Sequence, residues 1–282
     1  MYSAEIKRDS PGCLVIMIDQ SGSMSKAWDV AGVAKSSVLA DTVNALISEA
    51  VFRSTIGETV RNYFRVGILG YSGKGVYDAL SPHDSFDKFA LRSISELASS
   101  PRRIDHRLEQ VETGAGEYDD ASVAWPIWLE PRATGTTPMV AAFEVAHKVI
   151  QEWTANNRAS YPPIVINVMD AWTTDGDPVD AAGRLRGVST DDGETLLFNV
   201  HIAATSDPVT VFPASREEAG GDSFVQKLFA VSSILPPPLL SAAASQNIHV
   251  RQGSRGFARG VDPGTLVSIL DVGSRPLLQS VS

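Results

Sequence analysis

Four short apolar runs punctuate the chain with almost no polar alternation. They are 14–18 (Leu-Val-Ile-Met-Ile), 65–71 (Arg-Val-Gly-Ile-Leu-Gly-Tyr), 164–169 (Ile-Val-Ile-Asn-Val-Met) and 196–204 (Leu-Leu-Phe-Asn-Val-His-Ile-Ala-Ala). A strand with one wet face alternates, so these runs predict strands covered on both faces, as in a parallel sheet. Between them the period lengthens. Within 29–56, Val30, Val33, Val38, Val43, Leu46, Ile47 and Ala50 form a broad stripe, which predicts a helix with Gly57 at its C′ position. In 138–153, Met139, Phe143, Ala146, Ile150 and Trp153 recur at three- and four-residue steps, behind Thr137 as N-cap and Pro138 as first helical residue. Further helices are expected at 85–99, 223–233, 238–245 and 263–271. The alternation predicts an α/β fold, doubly wound, with a mostly parallel central sheet and helices on both faces.

One stretch departs from that rhythm. Arg102 to Glu112 and Ala121 to Glu130 read as extended segments flanking the turn-rich Thr113-Gly114-Ala115-Gly116-Glu117, which predicts an inserted β-hairpin over about 102–131. Pro236-Pro237-Pro238 precedes an amphipathic segment, a short strand at Gly256 to Gly260 and a last helix. The tail is therefore read as a closing strand and helix, about 248–272, of a single domain spanning 1–282, with no internal repeat.

Composition narrows the choice of partner. With 24 basic and 33 acidic residues among 282, the net charge is −9, and no Lys/Arg cluster exceeds a pair such as Arg102-Arg103. Nucleic acid and an anionic membrane are thus not expected as main partners, and the acidic balance fits a basic partner better. Cys13 is the only cysteine; it can form no internal disulfide, reads as a small core residue and suits a reducing compartment. The N-terminus has no hydrophobic signal core, and no apolar run approaches the roughly 20 residues that span a bilayer. A cytoplasmic location is the expectation.

Chemistry concentrates where the predicted strands end. Asp19-Gln20-Ser21-Gly22-Ser23-Met24 follows the first apolar run and offers one carboxylate and two alternating hydroxyls. Oxygen ligands of this kind suit Mg²⁺ or Mn²⁺, and so few carboxylates leave an ion able to take a ligand from outside. In an open α/β sheet, ligands sit beyond the carboxyl ends of the strands. Two further polar segments are expected there: Gly135-Thr136-Thr137-Pro138-Met139 before a helix, and Asp170 at the end of the 164–169 run.

Together these segments resemble the metal-ion-dependent adhesion site of the von Willebrand factor A family: Asp-x-Ser-x-Ser on a first loop, a Gly-x-Thr-type second loop and an Asp ending the fourth strand. The resemblance implies that Asp19, Ser21, Ser23, Thr137 and Asp170 hold Mg²⁺ or Mn²⁺, directly or through water, with Asp19 chiefly orienting the first loop. The family usually reads Thr-Asp-Gly at the third loop. This chain has Met169-Asp170-Ala171, with Thr174-Asp175-Gly176 five residues later; strand length favours Asp170, and adjacency to Pro138 favours Thr137 over Thr136. Asp175, Asp177 and Asp180 lack the closing glutamate of a calcium loop and read as a turn and helix start.

No enzyme signature accompanies these residues. The histidines 83, 106, 147, 201 and 249 are scattered without zinc-ligand spacing, and neither a Gly-x-x-x-x-Gly-Lys-Ser/Thr loop nor a Gly-x-Ser-x-Gly elbow occurs. The expected function is a non-catalytic, metal-dependent protein-binding module whose ion takes an Asp or Glu carboxylate from a partner. The resemblance implies an adaptor or assembly factor of the intracellular bacterial kind, acting with an AAA+ ATPase or a kinase or phosphatase system. The alternatives are a metal-assisted hydrolase using Asp175 or Asp177 as base, and a structural subunit with a vestigial site. Trp172, two residues past Asp170, and Trp125 and Trp128 on the predicted hairpin are the candidate partner contacts.

Overall fold

The computed structural model describes residues 2–28, 32–81, 89–114, 117–202 and 208–279. β1 (Gly12–Asp19) leads through a 3-10 turn (Gly22–Ser25) into α1 (Lys35–Arg53), the small pair β2 (Thr55–Ile56) and β3 (Thr59–Val60), and then β4 (Phe64–Ser72). β5 (Gly75–Asp78), β6 (Arg92–Ser93), α2 (Ile94–Ser99) and the long strands β7 (Arg103–Gly114) and β8 (Glu117–Ile127) precede α3 (Met139–Asn156) and β9 (Ile164–Met169). α4 (Val179–Gly187), β10 (Ser189–Thr190), β11 (Gly193–Glu194) and β12 (Leu196–Ile202) come next. The chain continues through β13 (Thr210–Val211), α5 (Arg216–Ala219), α6 (Ser223–Val231), α7 (Pro237–Ser245), β14 (Phe257–Val261) and α8 (Pro263–Gln279).

The result is a mixed α/β structure around a mostly parallel sheet flanked by helices. The sheet runs β13-β14-β12-β9-β1-β4-β5, with β6 also on β4. β14, β12, β9, β1 and β4 are mutually parallel, and the antiparallel pairs lie toward the edges. Every residue of β1 is buried, which explains its lack of alternation. Leu14, Ile16 and Ile18 enter the layer that contains Leu39, Val43 and Ile47 of α1, Leu239 of α7 and Ile269 of α8. Cys13, Val15 and Met17 enter the opposite layer, with Phe143 and Ile150 of α3, Leu185 of α4 and Leu228 of α6. Successive side chains of a strand point to opposite faces, so one run feeds two cores; each fully buried large side chain contributes about 1.5–3 kcal/mol.

Several local expectations need correction. α1 starts at Lys35 and ends at Arg53, capped by Ser54; Gly57, at φ +62°, forms the turn between β2 and β3 instead of a C′ position. Of the 29–56 prediction, residues 29–31 lie outside the described residues, as do 85–88 of the predicted 85–99 helix, which reduces to α2 behind the strand β6. α3 runs on to Asn156. Pro138 is its N-cap and not its first helical residue, and the Val140 and Ala141 N–H groups of the first turn donate to the Asp175 carboxylate instead of to a Thr137 cap. α8 passes the expected end at 271 and continues to Gln279. Residues 203–204 of the fourth apolar run also lie outside the described residues.

β7 and β8 pair antiparallel from Arg103–Ile127 out to Gly114–Glu117, as a ribbon separate from the main sheet; residues 115 and 116 of its expected turn are outside the described residues. Of the two hairpin tryptophans named as candidate partner contacts, Trp128 is core and Trp125 lies against α1. Trp128 is only 4% exposed; its indole N–H donates to the Leu97 carbonyl at 2.8 Å, and its backbone N–H to Asn44 Oδ1 at 2.9 Å. It follows the last residue of β8, where the chain turns inward, so it is core and offers no contact surface. Trp125 lies under the Arg107 guanidinium, 4.4 Å from its ring centroid, and faces Thr42 to Phe52 of α1 and Val267 of α8 across a cavity of about 600 Å³. At 1.5 Å rise per residue those α1 positions are roughly 10–25 Å along the helix from Lys35. Among the described residues no helix is long and apolar enough to cross a membrane.

Candidate metal centre

β1 and β9 are neighbours, yet the helices that follow them leave on opposite faces: α1 packs into one layer and α4 into the other. Such divergence opens a crevice at the carboxyl ends of the two strands. Asp19 is the last residue of β1 and Asp170 the first after β9, so the topology brings two carboxylates 151 positions apart to one edge.

The oxygen atoms there form a connected chain. Asp19 is 0% exposed; its Oδ1 accepts the Ser21 backbone N–H at 2.8 Å, while its Oδ2 is buried without a hydrogen-bond partner. Ser21 Oγ and Ser23 Oγ are 2.9 Å apart, and Ser23 donates to Asp170 Oδ1 at 2.5 Å. A buried carboxylate oxygen left unpaired carries a desolvation cost, and a hard cation satisfies it with the chemistry that the neighbouring hydroxyls also offer. Among the described residues no group of three or more His, Cys, Asp or Glu gathers at one point. The side-chain donors of the Asp19, Ser21, Ser23 and Asp170 cluster are all oxygen, a chemistry that suits Mg²⁺ or Mn²⁺ better than zinc.

Neighbouring loops are tied to this cluster through the backbone. Gly22 N–H donates to the Gly135 carbonyl at 2.9 Å, and Thr134 N–H to the Gln20 carbonyl at 2.8 Å, so two backbone hydrogen bonds tie the first loop to the second. Gly135 sits at φ +71°, against Gly73 of the β4–β5 turn. Thr137 is buried, with its backbone N–H on Thr174 Oγ1 and its carbonyl accepting from Thr174 N–H, both at 3.0 Å, whereas Thr136 is exposed. Asp175 is engaged elsewhere: its carboxylate accepts the Val140 and Ala141 backbone N–H groups at 3.0 and 2.9 Å, where the positive end of the α3 dipole favours an anion. Asp177 accepts from Val179 N–H at the start of α4. Trp172 is 56% exposed and stacks on Phe224 with centroids 5.2 Å apart.

Sequence reasoning missed Lys35. Its Nζ lies 2.9 Å from Asp170 Oδ2, with side chains 7% and 1% exposed. One signal was available, because a lysine opening a helix works against the dipole and so invites a non-local explanation.

Burial, reinforced by the Asp170 charge, pushes the Asp19 carboxyl up to about 6 against its hydrogen bonds from Ser21. A folded-state value above the unfolded one means that the native state holds the proton more tightly. The metal-free protein is therefore expected to lose stability as pH rises from about 4 to 6, by on the order of 2–3 kcal/mol. A cation needs the carboxylate, so Mg²⁺ affinity is expected to be nearly flat above pH 7 and to fall up to tenfold per pH unit below 6. Titration calorimetry at pH 5, 6 and 7.5 checks this, and a flat affinity across that range contradicts it.

No protein-family model and no curated protein matches the sequence. Similar solved structures include proximal thread matrix protein 1 from the mussel byssus, at 13% identity and TM-score 0.43, covering 80% of this chain and 42% of that one. The pilus adhesin SpaC from Lactobacillus rhamnosus GG matches at 10% identity and TM-score 0.48, over 98% of this chain and 31% of its own. The PilB minor pilin from Streptococcus sanguinis matches at 11% identity and TM-score 0.30, over 57% and 30% respectively. This chain thus spans less than half the length of each of these structures.

Proposed function

We propose that this chain is a non-catalytic protein-binding module of the von Willebrand factor A type, with the β7–β8 ribbon as an insertion. Asp19, Ser21, Ser23, Thr137 and Asp170 hold Mg²⁺ or Mn²⁺, and the ion takes an Asp or Glu carboxylate from a protein partner. The observation that carries this reading is the buried, unpartnered Asp19 Oδ2 beside the Ser21–Ser23–Asp170 chain at the divergence of β1 and β9. With the ion bound, its positive charge attracts the incoming carboxylate. The protein's own contribution is to fix the hydroxyls, keep Asp19 dry and present Trp172 at the third loop as a contact residue. The reading extends to a cytoplasmic adaptor or assembly role beside an AAA+ ATPase or a kinase or phosphatase system.

The test uses Asp19→Asn, which keeps the shape and the acceptor for Ser21 but removes the charge. Millimolar Mg²⁺ is expected to raise the thermal midpoint of the wild type by several degrees, since RT ln(1 + [L]/Kd) gives roughly 2.7 kcal/mol at a hundredfold excess over Kd. Asp19→Asn is expected to show little or no shift. Equal shifts in the two proteins would remove the metal from this site.

A further inference from the structure

Both oxygens of Asp170 are already engaged, Oδ1 by the Ser23 hydroxyl at 2.5 Å and Oδ2 by the Lys35 ammonium at 2.9 Å. Lys35 is an unusual residue for its place. It is the first residue of α1, preceded by Ala34 with no side-chain cap and followed by no acidic residue in the first turn. The dipole there disfavours a cation, and the chain still buries it to 6% exposure. Local structure gives no reason for a lysine at this position. Asp170, 135 residues away, supplies one, because a buried ammonium is tolerated when a carboxylate pairs with it.

The consequence concerns any ion that reaches the centre. A divalent cation drawn to Asp19 Oδ2 and Asp170 meets the ammonium on the same carboxylate, and two cations that close repel strongly in a poorly solvated crevice. The Lys35 backbone is fixed, its N–H donating to the Lys26 carbonyl at 3.0 Å, but its four-carbon stem can swing the ammonium out to water.

We propose that Lys35 is a tethered cation that neutralises Asp170 when no metal is bound and is expelled when a metal binds, so that it sets the affinity of the centre. This rests on the metal-binding reading above and adds its regulation: the crevice stays assembled without an ion, and metal binding is weakened by the cost of displacing the lysine. The site is then filled only where free Mg²⁺ is high or a partner carboxylate arrives with the ion.

The experiment is Mg²⁺ titration calorimetry on the wild type, Lys35→Met and Lys35→Arg at pH 7.5, paired with amine acylation of wild-type Lys35 read by peptide mass spectrometry. Lys35→Met is expected to bind Mg²⁺ at least tenfold more tightly than the wild type, and Lys35→Arg to stay within about threefold of it. Saturating Mg²⁺ is expected to raise the labelling rate of Lys35 several-fold as the ammonium leaves cover. Equal Mg²⁺ affinity in Lys35→Met and the wild type overturns the role of Lys35 while leaving the metal site standing. Absence of Mg²⁺ binding in all three proteins overturns the metal reading itself, and the proposal with it. Should Lys35→Met not fold, labelling decides: an unchanged rate at Mg²⁺ concentrations that raise the wild-type thermal midpoint overturns the proposal.

Discussion

Asp170→Asn is expected to lower the stability of the metal-free protein by about 1.5–3 kcal/mol at neutral pH, the worth of a hydrogen bond between charged groups, because the Lys35 ammonium must give up its cover once its carboxylate is gone. The substitution is nearly isosteric, and Asn can still accept from Ser23, so packing and the Ser21–Ser23 chain are spared. What changes is that the Lys35 ammonium, 7% exposed, loses the carboxylate 2.9 Å away. The diagnostic comparison is the double variant Lys35→Met with Asp170→Asn, in which no charge is left stranded. Buried ion pairs replaced on both sides are often close to neutral, whereas breaking one side is costly, so the double variant should recover most of the loss. Urea unfolding in EDTA for the four proteins of this cycle gives the coupling directly. A double variant no more stable than Asp170→Asn alone would mean that the loss comes from something other than the pair.

The same pair shows which parts of the structure a sequence makes legible. Strands buried on both faces announce themselves, because β1, β9 and β12 have no wet face on which to alternate. From them follow the parallel sheet, the position of Asp19 and Asp170 at strand ends, and the ordering of loops around the crevice. The two-residue strands β2, β3, β6, β10, β11 and β13 carry no such signal, since two residues cannot display a period and their pairing is set by turns and neighbours. Trp128 was misplaced for a similar reason: alternation tells which face of β8 a residue occupies, but Trp128 lies beyond Ile127, where alternation stops applying. The partner of Lys35 was invisible because it comes from another loop, and ion pairs across 135 positions leave no pattern in either local segment; only the place of a lysine at a helix start hinted at one. Asp175 shows the converse. Its Thr-Asp-Gly context matches the family's usual third loop, strand length spoke against it, and its carboxylate accepts the first N–H groups of α3.

Gly135→Ala and Gly73→Ala are each expected to weaken Mg²⁺ binding at least tenfold, by prising apart the loops that hold the centre together. A Cβ on Gly135 would lie 2.7 Å from Gly73 Cα and 2.9 Å from Gly73 N; one on Gly73 would lie 2.7 Å from Thr136 N and 2.8 Å from Gly135 Cα. These are backbone atoms, so no side-chain rotation relieves the contact, and the β4–β5 turn must move away from the second loop. That loop is bonded to the first through Gly22 N–H and the Gly135 carbonyl, so displacement at Gly135 carries Ser21 and Ser23 away from Asp170. Gly135 at φ +71° adds a left-handed backbone that costs an alanine about 1 kcal/mol, whereas Gly73 tests the steric term alone. Gly57→Ala separates the two causes: its φ is +62°, and an added Cβ meets nothing within 4 Å. It should lose about 1 kcal/mol of stability and keep wild-type metal affinity, as read by thermal unfolding and Mg²⁺ calorimetry on all three variants. Wild-type Mg²⁺ affinity in both Gly73→Ala and Gly135→Ala would show that the close approach of these two glycines has no part in holding the metal loops.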